Sequence, residues 1–425
     1  MSQGTLFLIY QIILPIFLLV AAPGFLIKMR KRGGWKVSVW ERFGRYSDRL
    51  NSTDLMIQAV SVGEGLIAMK VIEELRRADP DLTVTLAVGT ATGRQMAELR
   101  APSGVQVIYA PLDLPWMVSR CLAVIEPKAI AFIEGECWPN FTRQAAARGI
   151  PMSLLSARLS PGSASRYERF PAAANLLFGR LSFIGVPDDS SLAWWSLLKL
   201  NRPEFEVTGN IKFDPTEDSA PRRREKFEAI LKPLFRGQKI LIAVSTHPGE
   251  EVLIAEAARG LGLFPVLVPR HAERSAQVKS QLEALGWTVV RRSRVVGVCE
   301  RSSSPHCLLI DSTGELRDWT AHADLAVVGK SFLAKGGQSP VEAILAGIPV
   351  ITGPEMGNFK NLMKELVAAK GVTVVEGEAL RAEFESFLDG DAQWGEQVLA
   401  ARSVLERHRG ATARSAERLK ASLGS

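Results

Sequence analysis

Several carboxylates, cations and hydroxyls stand directly after short apolar runs, which is where an open α/β sheet presents its chemistry. Residues 55–60 (LMIQAV) are followed by Ser61-Val62-Gly63-Glu64-Gly65. Glu64, at a helix start, either complements the helix dipole or accepts a proton from an incoming hydroxyl. Residues 129–133 are followed by Glu134-Gly135-Glu136-Cys137-Trp138-Pro139-Asn140. Buried charge is costly unless paired. The two carboxylates therefore either line a pocket, or Glu136 caps a helix while Glu134 pairs with a base such as Arg158. Lys212, in Thr208-Gly209-Asn210-Ile211-Lys212-Phe213-Asp214, is either a surface lysine or a cation facing an anionic ligand.

The second half repeats the arrangement with different chemistry. Its strand ends carry Ser245-Thr246-His247-Pro248-Gly249-Glu250, Pro269-Arg270-His271, Asp311-Ser312-Thr313-Gly314-Glu315 and Gly329-Lys330-Ser331. Hydroxyls and backbone N–H groups at helix starts suit a phosphate. Gly336-Gly337-Gln338-Ser339-Pro340-Val341-Glu342 adds two glycines, a hydroxyl and a proline ahead of a helix, a backbone nest for an anion. Polar turns after successive strands point to a nucleotide. The absence of GxxxxGK[ST] excludes a P-loop ATPase. Asp79-Pro80-Asp81 and Asp389-Gly390-Asp391 are DxD by letter but lie in turns away from strand ends. Four cysteines and five histidines make no metal-ligand spacing, so no metal site is expected.

These turns need a scaffold that brings strand ends together. Apolar runs at 55–60, 82–88, 105–109, 129–133, 152–155 and 183–186 alternate with helical stretches, which reads as βαβ units on a parallel sheet. Charge and chain-breakers concentrate at residues 214–224 (DPTEDSAPRRR), an interdomain linker. The alternation restarts at 239–244, 264–268, 288–290, 307–310, 325–328, 349–352 and 372–375. From Gly390 onward the chain reads as helix. The fold class expected is α/β, with two Rossmann-like domains facing a cleft.

The chain has 425 residues, 47% hydrophobic and 23% charged, which excludes a disordered or low-complexity protein. Its net charge of +7 is mild, and its position matters more than its size. Leu6 to Ile27 carries no charge, and Lys28, Arg30, Lys31, Arg32 and Lys36 follow, then Arg42, Arg45 and Arg49. That length matches a bilayer core, and the basic edge places the rest of the chain on the cytoplasmic side and near anionic headgroups. A cleaved signal peptide would carry its positive charge before the apolar run, where residues 1–5 have none. A buried core helix is the other reading. Pro15, Pro23 and Gly24 are expected to interrupt the helix, which leaves a spanning or a half-inserted anchor.

Taken in order, the motifs resemble those of the 3-deoxy-D-manno-octulosonic acid (Kdo) transferases of lipopolysaccharide assembly. The resemblance is carried by the apolar N-terminus, Trp40-Glu41-Arg42-Phe43-Gly44, Ser61 to Glu64, and Glu134 to Asn140, similar to the family's Glu-x-Glu-Leu-Trp-Pro-Asn. It continues through Ala157-Arg158-Leu159-Ser160, Thr208 to Asp214, Ser245 to Glu250, Pro269 to His271, Gly314-Glu315-Leu316 and Gly336 to Glu342. It closes with Gly353-Pro354 and Asn358-Phe359-Lys360.

The resemblance implies a GT-B glycosyltransferase that moves Kdo from CMP-Kdo to a lipid A precursor, inverting and metal-independent, at the cytoplasmic face of the inner membrane. It implies Glu64 as general base, with Glu134 and Lys212 stabilising the transition state. The implied CMP contacts are Ser245, Thr246, His247, Pro269, Arg270, Thr313, Gly314, Glu315, Lys330, Ser339, Pro340, Val341, Glu342 and Asn358. The expected division is an anchor and basic flank at 1–32, an acceptor domain at 33–215 and a linker at 216–225. A donor domain at 226–395 and a C-terminal helix at 396–425 complete it. No cofactor is expected; the expected partners are CMP-Kdo, the lipid A precursor and the membrane, with no nucleic acid. Three positions depart from the family pattern: Cys137 for leucine, Lys330 for the second glycine of Gly-Gly-Ser, and Pro187-Asp188-Asp189 for a glutamine and acidic pattern. Lys330 sets a cation beside the donor turns, which admits another CMP-sugar. The alternatives are a GT-B transferase using a different CMP- or UDP-sugar, and a non-catalytic membrane-anchored scaffold.

Overall fold

Strands buried on both faces of a parallel sheet read as near-continuous apolar runs, and such runs become the strands of this protein. The computed structural model describes residues 2–31, 39–47, 50–200, 202–215, 221–235, 237–294, 305–312 and 314–424. They fall into two units: residues 1–214 with 408–425, and residues 215–407.

The first unit holds β1 (Leu55–Ala59), β2 (Val84–Val88), β3 (Val105–Tyr109), β4 (Ala129–Ile133), β5 (Met152–Leu155), β6 (Phe183–Val186) and β7 (Glu204–Val207). All pairs are parallel, in the order β3-β2-β1-β4-β5-β6-β7. The winding direction reverses between β1 and β4, so their carboxyl ends flank the crevice where ligands bind in such sheets. β7 was not expected from the sequence. Its Glu-Phe-Glu-Val pattern alternates charge with apolar side chains, as suits an edge strand, and Arg418 pairs with both Glu204 and Glu206.

The second unit holds β8 (Lys239–Thr246), β9 (Leu263–Pro269), β10 (Thr288–Arg291), β11 (His306–Leu309), β12 (Leu325–Val328), β13 (Val350–Thr352) and β14 (Thr373–Val374). The order β10-β11-β9-β8-β12-β13-β14 is again parallel, with the reversal between β8 and β12.

The C-terminal helix expected over 396–425 is in fact two helices, one in each unit. Gln393–Glu406 stays with the second, where Gln397 accepts from Val350 N at 2.7 Å and donates to Thr373 Oγ1 at 2.7 Å. Ala411–Leu423 returns to the first unit and packs on the helix Val62–Ala78. Asp214 fixes the return, accepting from Gly410 N at 3.0 Å and Thr412 N at 2.7 Å.

The N-terminal segment is one helix, Gln3–Lys31, without the interruption expected at its prolines and Gly24. Residues Gln3–Ala21 are long and apolar enough to cross a membrane, with mean hydropathy 2.3. Of the basic edge, Arg32, Lys36 and Arg49 lie outside the described residues. Arg42 departs from the expectation of a headgroup contact: it is buried, with its guanidinium 4.0 Å from the Tyr109 ring centroid.

Candidate active site

In the first unit, β1 ends at a turn that Ser61 and Glu64 close reciprocally. The Ser61 hydroxyl accepts from Glu64 N at 3.2 Å and donates to Glu64 Oε1 at 2.8 Å, while Val60 N donates to Oε2 at 2.7 Å. This is a capping box at the start of Val62–Ala78. Glu64 is 8% exposed. Burial pushes its carboxyl above the usual range; the bonds from Val60 and Ser61 oppose this, and the negative charges of Glu134 and Glu136 add to it.

Glu134 follows β4 in a left-handed conformation, φ +64°, which costs an ordinary residue about 1–2 kcal/mol. Its backbone is pinned on both sides, N–H to Leu155 O at 3.0 Å and C=O from Arg158 N at 2.8 Å. Its carboxylate pairs with Arg158 at 3.4 Å, as one sequence reading anticipated. Glu136 is also raised by burial, with a bond from Trp138 opposing. Three carboxylates thus gather at the β1/β4 reversal.

The other half of that reading, Glu136 as a helix cap, does not hold. Pro139–Ala147 is capped by Asp113, which accepts from Asn140 N and Phe141 N, each at 2.9 Å. Burial raises the Asp113 carboxyl to about 6 against these donors. Sequence reasoning passed over Asp113; the only signal was an acidic residue just ahead of Leu114-Pro115. Trp40–Gly44 is structural too: Glu41 accepts from Tyr109 N at 2.8 Å and pairs with Arg94.

Lys212 lies in the 3₁₀ turn Ile211–Phe213, capped by Asn210. That turn is held by Lys70, whose ammonium donates to Ile211 O at 3.0 Å and Asp214 O at 3.3 Å. Lys70 is six residues along the helix from Glu64, about 9 Å of helix rise.

In the second unit, the β8/β12 reversal gathers most of the expected donor residues. Arg270 N donates to Thr246 O at 3.0 Å, and the Arg270 side chain is exposed. The His247 ring lies 3.4 Å from Gln338 Nε2. Burial, and then the Lys330 cation, hold His247 below its ordinary value. Gly337 N donates to Lys330 O at 2.9 Å, and Asn358 N to Gly336 O at 2.8 Å. Gly336 has φ +117°, and a Cβ there would meet Asn358 Nδ2 at 2.7 Å. Lys330 has φ +58°. The family's glycine would adopt that conformation without cost.

Glu342 sits in the first turn of Val341–Ala346, with Pro340 at the cap position and Ser339 Oγ accepting from Val341 N. Its Oε2 is buried with no hydrogen-bond partner among the described residues, so it can take a hydroxyl. Glu315, beyond Gly314, is held by Ser312, Arg292 and Lys226. Burial would raise its carboxyl, but these bonds outweigh it and leave the group below the usual range. Thr313 lies outside the described residues.

The expectation of open hydroxyls and N–H groups at the first helix start of this unit is corrected. Thr246 is buried and its hydroxyl donates to Glu251 at 2.8 Å. The carboxylate of the fully buried Glu250 takes the N–H groups of His247, Lys330, Ser331 and Phe332. Ser245, with φ +55°, interrupts the regular register at the end of β8, just before Thr246.

Two parallel α/β units, each with polar turns at its strand reversal, define the GT-B-like fold class. The Anabaena protein HepE in complex with UDP shares this fold with a TM-score of 0.56, 13% identity, and coverage of 87% of this chain and 100% of that one. The sequence profile of the family described as 3-deoxy-D-manno-octulosonic-acid transferase (kdotransferase) matches residues 37–215. The 3-deoxy-D-manno-octulosonic acid transferase of Haemophilus influenzae is 32% identical over 89% of this chain and 90% of its own length. That of Bordetella pertussis is 32% identical over 93% and 95%. The chain belongs to the Kdo transferase family, the glycosyltransferases of lipopolysaccharide biosynthesis.

Proposed function

We propose that this enzyme transfers Kdo from CMP-Kdo to a lipid A precursor with inversion, without a divalent metal, at the cytoplasmic face of the inner membrane. The observation that carries the reading is the carboxylate trio at the β1/β4 reversal, where Glu64 is buried beside Glu134 and Glu136.

The chemistry follows from the donor. The anomeric C2 of Kdo bears a carboxylate and no hydrogen, so departure of CMP leaves an oxocarbenium-like centre. The acceptor hydroxyl oxygen bonds to C2 on the face opposite CMP, the bond from C2 to the phosphate oxygen breaks, and the hydroxyl proton passes to Glu64. One displacement inverts the anomeric configuration. A single phosphate leaves, and Arg270 and Lys330 supply cations for it without a metal. Glu342, whose Oε2 has no partner among the described residues, suits the ribose hydroxyls. Glu134 and Lys212 act on the developing charge, and the remaining turn residues shape the CMP site.

Purified protein with CMP-Kdo and a tetraacyl lipid A precursor in excess chelator should release CMP and add Kdo to the lipid. Activity lost in chelator and restored by magnesium would overturn the metal-free step. Release from UDP-sugars alone would overturn the donor. A second reading, another CMP-sugar, is favoured by Lys330 alone, and the same assay with other CMP-sugars decides it. Deleting residues 1–32 should release the protein from membranes in fractionated cells. Undiminished membrane association, or a mature N-terminus beyond residue 27, would contradict the anchor.

A further inference from the structure

The N-terminal helix does more than point away from the first unit; one face of it is docked there. Tyr10 donates to Asp113 Oδ2 at 2.7 Å, Gln11 donates to Asn140, and Arg143 lies 4.4 Å from the Phe7 ring centroid. The polar side chains in the middle of the apolar helix are therefore turned toward the protein and paired. The other face exposes Leu8, Ile12, Ile16, Leu19 and Val20, with nothing but apolar atoms to offer. The outer face is apolar enough to meet lipid while the inner face stays on the domain.

Between helix and domain is a cavity of about 390 Å³, lined mainly by apolar side chains such as Leu14, Leu18, Leu112 and Trp138, with the charged Arg42 and Asp113 also in its wall. Ligand pockets run from about 300 to 1,000 Å³. Two features identify its occupant. One wall is the apolar N-terminal helix, whose opposite face is exposed and suited to lipid. The opposite wall includes Val60, whose N–H holds the Glu64 carboxylate. A molecule with an apolar chain in the cavity would bring its polar end toward the Val60 turn that holds Glu64.

We propose that this cavity takes one acyl chain of the lipid acceptor, so that the anchor helix forms part of the acceptor site. The proposal rests on the reading of the acceptor as an acylated sugar. The chain seats the sugar hydroxyl at Glu64 and makes the enzyme sense acylation.

The test uses full-length protein in nanodiscs. A tetraacyl lipid A precursor with a diazirine in its acyl chains is photolysed, in parallel with a diazirine phosphatidylglycerol. The precursor is expected to label both residues 13–18 and residues 110–114, and the phospholipid only the helix. No label at 110–114 from the precursor, or equal label there from both lipids, would overturn the proposal. As a second measurement, Ile13→Trp narrows the cavity from a lipid-exposed position that folding does not depend on. It should raise KM for the tetraacyl acceptor tenfold or more and leave KM for the deacylated sugar unchanged; equal effects on both acceptors, or none on either, would contradict it. Wild-type transfer to the deacylated sugar tests the functional reading separately. If neither acceptor receives Kdo, that reading fails, while the labelling pattern still decides the cavity.

Discussion

Glu64 and Glu250 occupy the same place in their two units and do different work. Each follows the first strand of its unit and a short turn, and each lies in the first turn of the next helix. Glu250 is fully buried and takes N–H groups from His247 at 2.8 Å, Lys330 at 2.6 Å, Ser331 at 3.0 Å and Phe332 at 3.1 Å. Those donors come from its own turn and from a loop about eighty residues away, so its charge is used up in holding the β8 and β12 turns together. Glu64 takes two donors, both within four residues, and its carboxyl is raised and faces two further carboxylates. Residue type and position are shared; the number and origin of the donors separate a structural clasp from a group able to accept a proton.

The comparison is broken most severely at Glu250. Glu250→Ala leaves five backbone donors, Leu333 N at 3.5 Å among them, without their acceptor and should cost about 3–5 kcal/mol. Urea unfolding, with faster hydrogen exchange at residues 330–333, measures it; an unchanged midpoint would mean that Glu250 clasps nothing. Arg270→Ala should weaken CMP binding by about tenfold in calorimetry, since one exposed cation is lost from the phosphate, while folding is unaffected. Equal affinity would remove Arg270 from the donor site.

The smallest effect is at Lys330. Lys330→Gly relieves a left-handed backbone and should stabilise the protein by about 1 kcal/mol. It also removes a cation that depresses His247. The wild-type folded state resists protonating His247, so stability falls as pH drops below the ordinary value of 6.5. The glycine variant should show a higher His247 pKa by NMR and a shallower loss of stability; an unmoved titration would separate the two residues.

The interior strands and their polar ends were legible because a doubly buried strand has to be apolar and the chemistry follows at its carboxyl end. The order of those turns also carried the family. What escaped the sequence depends on partners distant along the chain. Asp113 caps a helix that starts 26 residues later, and all the donors to Glu250 but His247 lie beyond β12. β7 alternates charge because it forms an edge, and the last helix returns to the first unit through Asp214. Thr246 reads as a phosphate ligand by type, yet its hydroxyl is turned inward to Glu251. Local pattern specifies elements; it does not say which polar groups will already be occupied.

The central claim is that Glu64 takes the acceptor proton, and Glu64→Gln tests it most directly. Glutamine keeps the capping box, so thermal stability and CMP affinity should stay as in the wild type. Turnover with saturating CMP-Kdo and lipid acceptor should fall by about 10²–10⁴-fold. Wild-type kcat/KM should decline toward acid through a pKa above the ordinary glutamate value of 4.5, because the base works only when deprotonated. A Glu64→Gln enzyme that turns over within a few-fold of wild type would contradict the account and shift the base to Glu134.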